Sequence, residues 1–289
     1  MLTVSEDNLH NIFKEERVLE KISLDKMKEL QVNMLEYINE ICKKYEIQYF
    51  LLGGSLIGAI RHNGFIPWDD DIDIGLTIEN YNKLCDVLKK NNNGRYKLVN
   101  HEIQKDYYYP FAKLIDTKTL LIEKNFKNIK NYGVYIDIFA YHTIPADEKN
   151  IIRHYNKVKK IQRQIFYYSL RNPYNSNLFK NIIKMPLVVI SKIKGIDLIL
   201  KQYNKELSKY SNIDSKFLLS NWPFYKMKNE IQNYEVVKEV CYHKFENIEA
   251  LIPVKYDEFL RTVFGDYMKL PPEEERVSHH NIEIFWKNN

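Results

Sequence analysis

The sequence is poor in the residues that mark secreted scaffolds and membrane spans. Its three cysteines, Cys42, Cys85 and Cys241, are far apart and odd in number, with no CxxC or other metal-ligand spacing. That argues against a disulfide framework and for free thiols in a reducing compartment. The longest purely apolar run, Met185 to Ile190, falls far short of the ~20 residues that span a bilayer. The N-terminal stretch MLTVSEDNLHNIFKEERVLEK is charged and has no apolar core of signal-peptide length. A cytoplasmic protein without an integral membrane segment is expected. There is no internal repeat, no long linker and no recognisable RNA- or DNA-binding motif, so nucleic acid is not an expected partner. Glycine and proline are sparse, nine each, against 22 tyrosines. Background composition accounts for much of that bias, and a Tyr or Lys cluster alone carries little functional weight.

What is present is the balance of a globular chain: 289 residues, 45% hydrophobic and 28% charged. Apolar side chains at Leu24, Met27, Leu30, Met34, Leu35, Ile38, Ile41, Cys42 and Tyr45 recur in steps of three and four, which predicts one amphipathic helix over 24–46. Lys43 and Lys44 suit its C-terminal end. Tyr49 to Leu52 reads as a buried strand running into a Gly53-Gly54-Ser55 turn. One or two helical turns follow, ended by Gly64 and Pro67. From Ile72 to Leu76 the pattern alternates, with Asp71, Asp73 and Gly75 on one face. Residues 79–90 return to helical spacing. Short strands are expected at 96–99, 109–115, 119–122 and 133–139, and later at 217–220, 243–245 and 249–252, with a helix near 256–264. This order predicts an α+β fold, a mixed sheet flanked by helices.

Residues 150–210 differ from the rest. They read as helical, broken by RNPYNSN at 171–177, by Pro186 and by Gly195, and they carry 13 Lys or Arg against Asp197 and Glu206. This local +11 within a chain of net +5 leaves −6 for the remainder. The expected organisation is a catalytic core over 1–145, a basic helical segment over 146–212, and a C-terminal part over 213–289 that completes the core. A packed helical unit with a solvated basic face is one reading of the segment. Peripheral contact of 150–210 with an anionic membrane is the other, since each Lys or Arg near such a surface contributes about 1 kcal/mol.

The chemistry concentrates in residues 53–75, GGSLIGAIRHNGFIPWDDDIDIG. Glycines let backbone N–H groups approach a phosphate, and the N-terminus of a following helix favours anions. Ser55 offers a hydroxyl, and Arg61 and His62 lie one short helix away. Asp71 and Asp73, two apart on a strand, point the same way with their bases roughly 7 Å apart. Asp137, on the strand Val134 to Phe139, sits between apolar neighbours and supplies a third carboxylate. Three converging carboxylates repel one another unless a cation intervenes. Hard oxygen ligands suit Mg²⁺ or Mn²⁺, which favour a few carboxylates plus water and substrate phosphates. Asp69 and Asp70 are left without an assigned role, although strand parity puts Asp69 on the face of Asp71.

This stretch resembles the signature of the LicD family, which includes fukutin and fukutin-related proteins within the polymerase-beta-like nucleotidyltransferase superfamily. The matching features are Gly54-Ser55, Asp71 with Asp73, and Asp137 in YIDIF, together with PFAKLIDTKT at 110–119 and FGDYMKLPPEEERVSHH at 264–280. The likeness covers roughly 25–145 and 245–280. It implies a nucleotidyltransferase-like fold and Mg²⁺-dependent transfer of a phospho-alcohol from a CDP-activated donor to a sugar hydroxyl. The expected acceptor is a cell-surface glycan, teichoic acid or lipid-linked precursor. Phosphocholine is the best-known group moved; ribitol and glycerol phosphate transfer are relatives, and nucleotidyl transfer to a small molecule or protein is the alternative. The resemblance further implies that Asp71, Asp73 and Asp137 hold the metal, with Asp137 accepting the acceptor proton. Lys113 and Arg61 would neutralise the donor diphosphate, and Arg276, His279 and His280 would contact acceptor or phosphate.

Overall fold

The computed structural model describes residues 18–91, 93–173, 178–278 and 281–287. Its central sheet is mixed, with strand order β2 (Phe50–Leu51), β3 (Asp73–Thr77), β7 (Tyr135–Thr143), β5 (Ala112–Asp116) and β4 (Tyr96–Val99). Strand β7 is the hub. It runs parallel to β3 with Asp73 opposite Asp137, and antiparallel to β5 with Lys113 opposite Asp137. Its second half carries β8 (Phe217–Ser220), on which β9 (Gln232–Asn233) pairs in turn. A second sheet joins β1 (Val18–Lys21), β12 (Ile282–Lys287) and β6 (Thr119–Glu123). A hairpin of β10 (Val240–Phe245) and β11 (Ile248–Pro253) packs along β2.

Strand parity divides the two faces of the central sheet. Ile72, Ile74, Leu76, Ile136 and Ile138 are fully buried and alternate with Asp73, Gly75, Asp137 and Phe139. Helices α1 (Leu24–Lys44) and α3 (Ile78–Lys90) pack against this sheet and are tied together by Tyr37 Oη, which donates to Asn91 O at 3.2 Å. Helix α1 starts where expected because Ser23 Oγ accepts from Lys26 N–H, and its apolar stripe from Met27 to Cys42 is buried. From the same helix, Gln31 Nε2 lies 3.2 Å from both Asp70 O and Tyr135 O, so it fastens the acidic loop to β7.

Two expectations about breaks are corrected. Gly53 and Gly54 do not form a turn ahead of a helix; they are the first residues of α2 (Gly53–His62). Gly53 has φ +57, which glycine adopts without steric cost, so the chain turns into the helix directly. Pro186 does not interrupt α5 (Leu178–Lys194), which continues through it. The residue is exposed, and α5 is held by its buried side, where Val188 and Ser191 pack. Helices α4 (Glu148–Ser169), α5 and α6 (Ile196–Leu207) pack on one another. Gly195 ends α5 as expected, with φ +76. No helix among the described residues is long and apolar enough to cross a membrane. The remaining elements are α7 (Met227–Glu230), α8 (Tyr234–Val237) and α9 (Tyr256–Phe264).

Candidate active site

The polar face of β3 and β7 opens into a cavity of about 600 Å³. Asp69, Asp71, Asp73 and Asp137 all line it. Their convergence follows from register: Asp73 and Asp137 are neighbours on parallel strands, and Asp69 and Asp71 enter on the same parity. The carboxylates of Asp69, Asp70 and Asp71 also each place an oxygen within 4.8 Å of the others. Asp70 is not part of the cavity wall. It is buried, and its Oδ2 accepts from Ser278 Oγ at 2.5 Å, which ties the acidic loop to the C-terminal segment.

The first turn of α2 closes one side of the cavity. Gly53 and Gly54 line it, and a Cβ on Gly54 would collide with the Asp69 carboxylate. Gly54 thus admits the close approach of Asp69 to the helix terminus, where the backbone dipole favours negative charge. Ser55 is buried beneath, and its Oγ accepts from Asp73 N–H at 2.9 Å. Its hydroxyl holds β3 in place from below the cavity wall.

Lys113 is 2% exposed, with Nζ 2.5 Å from Asp137 Oδ1 and 3.4 Å from the centroid of the Tyr135 ring. Its ammonium is thereby bound into the wall by a carboxylate and an aromatic face. Burial pushes the Asp73 carboxyl well above the ordinary aspartate range, and Asp71, Asp137 and Asp69 push it further, against the opposing pull of Lys113. One lysine does not balance this group of acids. Hard carboxylate oxygens of this kind suit a divalent cation, and one held here would relieve the repulsion.

Neither Arg61 nor Arg276 lines the cavity, but Arg276 stacks on Trp68, which does. Arg276 lies 5.6 Å over the Trp68 ring, with Nη1 3.9 Å from Glu273. Arg61 Nη1 donates to Tyr267 O at 2.7 Å. Burial lowers the Arg61 pKa and the charge of Arg276 adds to the effect, so the two guanidiniums feel each other. His279 and His280 lie outside the described residues.

Several cavity residues carry no signal in the sequence. Glu230, on the one-turn α7, and Glu123, at the end of β6, both line it. So do Ile165, Phe166 and Ser169 of α4, which makes the basic segment part of the wall. Aromatic rings fill much of the remainder, among them Tyr109, Phe139, Trp222 and Tyr225. These positions come from distant loops, and spacing along the chain does not relate them. Asp69 was the exception, since parity alone placed it beside Asp71.

Residues 46–185 match the family model described as "LicD/FKTN/FKRP, nucleotidyltransferase domain". Over 278 residues the chain is 32% identical to the lipopolysaccharide cholinephosphotransferase LicD of Haemophilus influenzae, covering 92% of this chain and 99% of that protein. The chain belongs to the LicD family. It is accordingly a LicD-type transferase of substituted phosphate groups. Human and mouse ribitol 5-phosphate transferase FKRP share 40% identity with it over 53 residues, 18% of this chain and 10% of theirs. The LicD relative spans nearly the whole chain, including the helices α4 to α6 that motif reading could not assign.

Proposed function

We propose that the protein transfers phosphocholine from CDP-choline to a sugar hydroxyl of a cell-surface glycan or its lipid-linked precursor, on a nucleotidyltransferase-like core. The observation that carries this reading is the four-carboxylate wall, opening into an aromatic cavity, in a chain alike along its length to a cholinephosphotransferase. Asp71, Asp73 and Asp137, joined by Asp69, would hold Mg²⁺ or Mn²⁺. When bound, such an ion supplies charge stabilisation for the attacking and leaving oxygens of an in-line displacement. The acceptor oxygen attacks the choline-bearing phosphorus, the bond to the bridging oxygen breaks, and CMP departs with the electron pair. Asp137 takes the hydroxyl proton, with Lys113 holding it in position. Arg61 and Arg276, whose charges act on each other, would suit the donor phosphates, which would separate their two like charges.

The acceptor's lipid anchor would bring the enzyme to the anionic inner membrane surface through the α4–α6 unit. There α5 exposes Leu187, Val189, Ile190 and Ile193, with Lys192 exposed beside them. An apolar face with flanking lysines suits the boundary between head groups and acyl chains.

The deciding assay incubates the protein with CDP-choline, acceptor glycan and Mg²⁺, and follows CMP release and choline phosphate on the acceptor. Asp71→Asn and Asp73→Asn should each lower turnover by at least about a hundredfold, within the range typical for losing transition-state charge stabilisation, while melting temperature stays within a few degrees. Turnover retained by both variants would remove the metal assignment. Label from CTP or ATP appearing on the acceptor would replace phosphocholine transfer with nucleotidyl transfer.

A further inference from the structure

The aspartates occupy one region of the cavity, and a further carboxylate, Glu230, lines it as well. It is 8% exposed and sits on the short helix α7 between β8 and β9. Its Oε1 accepts from the backbone N–H of Tyr225, and among the described residues no lysine or arginine forms an ion pair with it. The charge of Lys159 bears on it, yet Lys159 Nζ is directed to Pro223 O at 2.8 Å. Burial without a paired cation disfavours the charged form of this carboxyl, and a bound cation would restore it.

The surroundings identify what would answer it. Phe139 meets Phe224 with ring centroids 6.0 Å apart, and Tyr225 meets Phe264 at 5.3 Å. All four rings, together with Tyr141, line the cavity beside Glu230. The charges of both Glu230 and Asp73 act on the phenols of Tyr141 and Tyr225, so this pocket and the metal-holding acids are neighbours across those two rings. Gln232 adds a further observation. It is 2% exposed and lines the same cavity, and its Nε2 has no hydrogen-bond partner among the described residues. An amide donor there suits an ester or phosphoryl oxygen of a bound ligand.

We propose that Glu230 and the rings of Tyr141, Phe224 and Tyr225 form the subsite for the quaternary ammonium of the donor, and that they set the enzyme's choice of transferred alcohol. A quaternary ammonium has no N–H to donate. It is held by aromatic faces and a carboxylate, which this pocket supplies, and it loses little by leaving water. Ribitol or glycerol carries hydroxyls that need partners, and rings provide few. Glu123 is a weaker candidate, because Tyr109 Oη at 2.9 Å and Tyr108 Oη at 3.4 Å already donate to it. The inference rests on the CDP-alcohol reading above, and its test separates the two.

Calorimetric titration of CDP-choline, CDP-glycerol and CMP into the full-length protein, without acceptor, compares wild type with Glu230→Gln and with Phe224→Ala. Phe224 is 60% exposed and its truncation should leave folding intact; Glu230→Gln removes the group that can become charged against a bound cation, at nearly constant shape. Wild type should bind CDP-choline at least about tenfold tighter than CDP-glycerol, a margin of the size that a desolvated cation over aromatic rings contributes. Both variants should lose most of that margin while binding CMP as wild type does. Glu230→Gln keeping the preference overturns the subsite, and if it still transfers phosphocholine the proposed function stands without it. A wild type that prefers CDP-glycerol overturns both.

Discussion

Lys113 shows how a single side chain governs the candidate site. It stands opposite Asp137 in the β5–β7 ladder, and its Nζ is 2.5 Å from Asp137 Oδ1. Sequence resemblance assigned it to the donor diphosphate, but its burial and its contact with the Tyr135 ring place its charge inside the wall. Two effects compete there. Desolvating an ammonium is costly, while the carboxylate and four rings within 6 Å repay that cost locally. Removing the lysine leaves Asp137 buried against Asp73 without its cation, and a broken buried pair costs about 3–5 kcal/mol. Lys113→Met, which keeps most of the volume, should therefore lower the urea-unfolding free energy by that amount and abolish turnover. Millimolar Mg²⁺ should recover part of the lost stability, because a bound cation restores some of the missing charge. Unfolding curves with and without Mg²⁺ check this, and unchanged stability in the variant would refute the ion pair's role.

Elements with unbroken periodicity were legible in the sequence. Strands 96–99 and 217–220 and the helix at 256–264 have the expected bounds, because apolar spacing alone sets which face is buried. The three principal aspartates were legible for the same reason: parity along β3 and β7 aims Asp73 and Asp137 at one face. Pocket walls built from α4, α7 and the loops around Trp222 were not, since their positions depend on long-range packing. Two positions depart from what glycine and proline suggest: Gly53 opens α2 through its positive φ where a turn is expected, and α5 runs through Pro186 where a break is expected. Helix α5 also carries the element-scale prediction. Ile193 is 80% exposed and Ile190 is 56% exposed, one turn apart on the outer face. Fully burying one such side chain is worth about 1.5–3 kcal/mol, and adjacent lysines add about 1 kcal/mol each near anionic lipid. Ile190→Asp with Ile193→Asp should abolish co-flotation with phosphatidylglycerol vesicles, with little change in melting temperature because both side chains are mostly exposed. Turnover on a soluble acceptor should persist. Flotation unchanged in the double variant, or absent in wild type at low salt, removes the membrane face.

At the scale of the whole molecule, burial sets two opposite proton linkages on and around β7. Glu230, on the segment around α7, is buried, and desolvation pushes its carboxyl up from 4.5 to about 7. His142 is buried as well, and its imidazole is pushed down from 6.5 to about 4 by desolvation and then by the charge of His154. The signs follow from which state holds the proton. Between about 4.5 and 7 the folded chain keeps a proton on Glu230 that the unfolded chain has released, so this contribution is lost as pH rises. Between about 6.5 and 4 the unfolded chain protonates a histidine that the folded chain holds neutral, so that contribution is lost as pH falls. Each linkage amounts to about 3 kcal/mol across its window. Measured by urea unfolding in EDTA, Glu230→Gln should gain on wild type as pH rises from 4.5 to 7. His142→Asn should gain on wild type as pH falls from 6.5 to 4. The aspartate cluster is the same in all three proteins and cancels from the differences. Tyr141 and His142 are successive residues of β7 and project to opposite faces, so Glu230 beside Tyr141 and His142 should act independently, and the double variant should show both gains. Differences that stay flat with pH would mean that neither group is closed off from water when the sheet is covered.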